Sequence, residues 1–85
     1  MTLQFPNRSR NYDASSERVR FTGYDGMFAV SFAVDSAALR LPGGAGEERA
    51  LAAFDAARNS VYDVAKEAYS NARKTSYVLS AADFR

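Results

Sequence analysis

The chain has no cysteine, no histidine and no tryptophan. Without cysteine there is no disulfide framework, no thiolate nucleophile and no thiolate-based metal site. Without histidine, the commonest general base near neutral pH and the commonest metal ligand are both missing. Long apolar runs are missing as well. The longest, residues 27–34, is interrupted by Ser31 and is too short to cross a bilayer. Charge of one sign is also scarce. The formal net charge is +1; residues 1–40 carry five basic and four acidic side chains, and residues 41–85 carry six of each. So small a balance gives no general attraction to nucleic acid or acidic membranes, and it leaves no charged tail. The first ten residues, MTLQFPNRSR, lack the long apolar region of a secretory signal. The expectation is a cytoplasmic protein that does not engage a membrane.

What is present is a strong helical pattern. Residues 47–74 contain no proline and no glycine. Leu51, Phe54, Ala57, Val61, Ala65, Ala68 and Ala72 recur at steps of three and four, which puts them on one helical face. Arg49, Asp55, Asn59, Asp63, Lys66 and Asn71 fall on the other, where water solvates them. Alanine, the best helix former, is abundant here. One helix of this length would span roughly 40 Å. Glu47 and Glu48 suit its positive end, and Arg73 and Lys74 its negative end.

Strand patterns surround it. Residues 2–5 alternate and stop at Pro6. Residues 7–16 read as polar turn material with Tyr12 as a pin. Residues 17–24 alternate, with Val19 and Phe21 on one side and Arg18, Arg20 and Thr22 on the other. The Asp25-Gly26 dipeptide marks a tight turn. Residues 27–34 then alternate again: Phe28, Val30, Phe32 and Val34 belong to the helix-facing side, and the small Ala29, Ser31 and Ala33 to the other. A short turn at residues 37–40 and the breaker Leu41-Pro42-Gly43-Gly44 lead to the helix. Residues 76–80 alternate as a last strand, and Phe84 folds back as an apolar plug within residues 81–85. The expected fold class is α+β. It is a two-layer single domain over 1–85, in which one long helix covers one face of a small, mostly antiparallel sheet, in the order β-β-β-α-β.

Several strings are familiar. LQFPNRSRNYD, VRFTGYDG, SFAV, AAFDAAR, AYSNARKTSYVLSAADF and the near-terminal Asp83-Phe84 resemble a small bacterial family, domain of unknown function 1488. The resemblance runs from Leu3 to Phe84. Family members often carry a large aliphatic residue or a histidine where this chain has Val61 and Tyr62. They tend to carry glycine where it has Asn71-Ala72 and Thr75, which implies a less flexible turn after the helix here. Some members bear the label of transcriptional regulator. The resemblance implies a bacterial cytosolic origin and brings no substrate, cofactor or catalytic residue.

The candidate chemistry is sparse. Arg8, Arg10, Arg18, Arg20, Arg73 and Lys74 form three basic groups that would bind anions or nucleic acid if they converged, with Tyr12 or Tyr24 for stacking. The plainer reading is a solvated face whose arginines pair with Asp13, Glu17 and Asp25. The carboxylate pairs Glu47/Glu48 and Asp55/Asp63 read as helix-end charge and solvation rather than acid–base machinery. Gly43-Gly44-Ala45-Gly46 precedes a helix start but lacks the Lys-Ser/Thr ending of a phosphate loop. Phe21, Phe28, Phe32, Phe54, Tyr69, Tyr77 and Phe84 are expected to fill the core. No catalytic residue, cofactor or metal site is assigned. The expected function is a non-enzymatic interaction module, a homodimer or bound to another protein, with a nucleic-acid-associated regulator as the alternative.

Overall fold

In a computed structural model, residues 3–84 are described. Thr2 and Arg85, assigned by the sequence pattern to the first strand and the last segment, lie outside them. Strands β1 (Leu3–Gln4), β2 (Asn11–Asp13), β3 (Arg18–Asp25) and β4 (Phe28–Asp35) come first. Helices α1 (Glu47–Ala56) and α2 (Arg58–Asn71) follow, and β5 (Ser76–Leu79) closes the sheet. The architecture is α+β, but the expected β-β-β-α-β order needs two corrections.

The first correction concerns the helix. It is broken at Ala57, whose φ of −102° and ψ of 11° leave the helical region. The Ala57 N–H bonds both the Ala53 and Phe54 carbonyls, so the turn tightens locally. A straight rod of roughly 40 Å would exceed the longest extent of the molecule, 37 Å. Broken, α1 lies over β2 and β3 while α2 reaches β5. The buried stripe also differs from the expected one. It is Ala50, Phe54, Arg58, Val61 and Ala65, with Leu51 and Ala57 only half-buried.

The second correction is an added strand. Asn11–Asp13, read as turn, pairs antiparallel with the Arg18–Arg20 part of β3. β1 pairs with the far end of the same edge, Leu3 opposite Asp25. β3 and β4 form the expected hairpin, with Asp25 opposite Phe28. Gly26 takes a φ of 63° at the first central position of its two-residue turn and Met27 does not share the positive φ, the type II′ pattern that suits strand twist. β5 runs parallel to β4, so the sheet is mixed.

Val19, Phe21, Val30, Phe32, Val34, Tyr77 and Leu79 face the helices and are buried. Register places Phe21, Phe32 and Tyr77 side by side on three strands. Their rings stack at 5.3 and 5.1 Å between centroids. Phe5 enters this layer from the β1–β2 loop and stacks on Tyr62 of α2 at 4.0 Å. Its ring occupies the space over Gly23: a Cβ there would meet Phe5 Cε1 at 2.7 Å. Phe28 is the exception among the predicted core aromatics. It is 77% exposed, because it sits beside the hairpin turn, past the cover of α2. Phe84 packs half-buried against the core from a 3₁₀ turn, Ala81–Phe84.

Candidate functional site

One sheet face lies under the helices. On the other, strand alternation presents Arg18, Arg20, Thr22 and Tyr24 from β3, Ala29, Ser31, Ala33 and Asp35 from β4, and Ser76 and Val78 from β5. Cross-strand rows follow from the register: Thr22, Ser31 and Ser76 form one, and Arg20, Ala33 and Val78 another. The β4 residues are small, so Ala29 and Ser31 make a shallow exposed floor, while Ala33, between Arg20 and Val78, is buried. The loop between β1 and β2 raises Asn7 and Ser9 along one side, beside Asn11 at the start of β2. Together with Arg20, Thr22 and Tyr24 they enclose an open polar groove of about 310 Å³. At the opposite edge, Val78 is 50% exposed, and among the described residues no strand pairs with the outer side of β5.

The six basic residues occupy separate places. Arg10 donates two hydrogen bonds to Asp55, at 3.0 and 2.8 Å, tying the β1–β2 loop to α1. Arg18 donates to Asp35 across the hairpin at 2.6 Å, and Arg20 donates to Asp13 at 3.0 Å. Arg8 is exposed and forms no ion pair among the described residues. Arg73 lies over the Tyr69 ring and Lys74 near the Tyr77 ring. These last two stand by Phe28 and Thr75, where a second groove of about 250 Å³ opens. Arg18 pairs at the other end of β4, roughly 20 Å away along the strands. Of the three carboxylates named from the sequence as arginine partners, Asp13 alone pairs with an arginine among the described residues; Glu17 accepts from the Gly44 N–H and Asp25 from the Tyr69 hydroxyl at 2.6 Å.

These bonds shift titrations. The Arg10 guanidinium, with Arg58 behind it, holds the Asp55 carboxyl below its ordinary value. The Ser15 hydroxyl and then Arg20 do the same for Asp13. The Tyr69 phenol is pushed up by its bond to Asp25.

Arg58 is a residue the periodicity argument missed. It is 5% exposed, within the helix stripe. It donates from Nη2 to Asp55 at 2.6 Å and from Nη1 to the Tyr62 hydroxyl at 2.7 Å, and its guanidinium lies over the Phe54 ring. The sequence did hold the signal: Arg58 falls four residues after Phe54, with Asp55 and Tyr62 at helical spacing on either side.

Of the carboxylates, Glu47, Glu48 and Asp63 are exposed, and Asp55 is taken up by two arginines. Among the described residues no cluster of three or more could hold a metal ion, and no helix is long and apolar enough to cross a membrane. The glycine link before α1 is held by Glu17, whose Oε1 accepts the Gly44 N–H at 2.7 Å.

Comparison with curated proteins and with solved structures gives no match. A family model described as protein of unknown function (DUF1488) matches residues 3–80, and the chain belongs to that family.

Proposed function

We propose that the protein is a non-enzymatic interaction module of the bacterial cytoplasm that docks a protein partner on its uncovered sheet face. One observation carries this reading. The face is floored by the exposed Ala29 and Ser31, which allow close approach, and it runs out to an unpaired strand with Val78 half in water. Edge strands with open backbone groups are templates for pairing, and extended partners use them. The shallow grooves are polar or open and hold no histidine or cysteine to drive chemistry.

The rival reading, a nucleic-acid-associated regulator, has less support. Arg10, Arg18 and Arg20 each face a carboxylate. Titration with DNA and RNA over a salt series decides it, since phosphate contacts give a steep salt slope and absence of binding at low salt removes the idea. For the first reading, affinity purification compares the natural chain with an Ala29→Arg/Ser31→Arg variant. The expected result is a partner retained by the natural chain and lost from the variant while the circular dichroism spectrum is unchanged. Identical retention by both would contradict it.

A further inference from the structure

The edge of β5 carries more information than its exposure. The Ser31 N–H donates to the Thr75 carbonyl, and Ser31 and Ala33 stand opposite Ser76 and Val78. In a parallel ladder of this register, β4 bonds the residues that flank Ser76 and Val78. The N–H and C=O groups of Ser76 and Val78 themselves then point away from β4, toward the open side. Just before the strand stand Arg73 and Lys74, and Lys74 forms no ion pair among the described residues. Just after it stands the exposed Asp83, whose carboxylate accepts, among the described residues, from the Ser80 N–H and hydroxyl, and whose own N–H donates to the Ser80 carbonyl.

We infer that the partner on this edge is a second copy of the chain, joined antiparallel through β5 with the twofold axis at Val78. The inference rests on reading the sheet as a docking surface and adds its occupant. Two copies related this way keep their helices on the same side of one continuous sheet. Val78 meets Val78 of the other copy and Tyr77 meets Leu79; Ser76 meets Ser80, whose N–H must leave Asp83 Oδ2 to join the ladder, which frees that carboxylate. Apolar groups oppose apolar groups and hydroxyls oppose hydroxyls. With the axis at Tyr77, Ser76 would oppose Val78 and Thr75 would oppose Leu79, which mixes the two. Antiparallel pairing also lays the start of one strand beside the end of the other, so the Arg73-Lys74 turn approaches the second copy's Asp83. The edge is thus complementary to itself in face, polarity and charge, as a twofold interface requires.

Sedimentation equilibrium over a concentration series, on the natural chain and on Val78→Lys, tests the inference. A reversible dimer is expected, weakened at least about tenfold by a lysine at the edge. Because the chain has no cysteine, single-cysteine variants report the register directly. Mild oxidation should link Val78→Cys into a dimer. It should leave Ser76→Cys unlinked, since the two copies of that position lie roughly 13 Å apart in this register. A monomer at every concentration, a dimer indifferent to Val78→Lys, or equal linking of both cysteine variants would each overturn the inference. A monomer that still holds another protein on the Ala29 and Ser31 floor would sink the second copy alone. Loss of that protein's dependence on the floor would sink the broader reading.

Discussion

Arg58 shows how one side chain can fix the packing of two helices. A guanidinium held inside the molecule is tolerated because it is hydrogen-bonded and stacked, here by Asp55, Tyr62 and Phe54. Replacing it by alanine removes both its bonds and its apolar stem. Arg58→Ala is expected to lower unfolding free energy by about 2–4 kcal/mol, and Arg58→Met by clearly less, because a long apolar chain refills the space. Urea denaturation of the two variants checks the order. Asp55 adds a pH dependence. Its folded-state titration lies below the unfolded value, so its stabilisation is fully present above the unfolded pKa of about 4 and is lost as pH falls through the lower folded value. Asp55→Asn should therefore flatten the loss of stability below about pH 4; an acid slope as steep as that of the natural chain would remove Asp55 from the account.

At the scale of elements, the strands that alternate cleanly were legible. Val19 and Phe21 on β3 and Val30, Phe32 and Val34 on β4 enter the core as their period dictates. Three features were not. β2 is Asn-Tyr-Asp, a composition that local propensity assigns to a turn; only its pairing with β3 makes it a strand. The break at Ala57 has no proline or glycine beside it to announce it in the sequence. Phe28 keeps its strand parity but lies past the end of α2, so periodicity gave the right side and the wrong burial. The candidate surface was legible in part, as the small residues of β4, while the pairing partners of the arginines depended on the fold. The edge formed by β1, its loop and β3 depends on Phe5 lying over Gly23. Gly23→Ala would force that packed ring aside, at a cost of about 1–3 kcal/mol. Phe5→Leu, although destabilising alone, should recover part of that cost in the double variant, measured by thermal melts in a double-mutant cycle.

At the scale of the whole molecule, two helices cover one side of five strands among the described residues, and the other side, with its β5 edge, is the side proposed for association. An 85-residue chain has a small core, and extending its sheet through a partner increases what is buried. Amide exchange at Ser76 and Val78 reads this claim most directly, because their N–H groups point out from the sheet. Measured from low micromolar to millimolar protein, the account predicts rapid exchange when dilute and protection that grows with concentration. Exchange at Ser76 and Val78 that is equally fast at every concentration would contradict it.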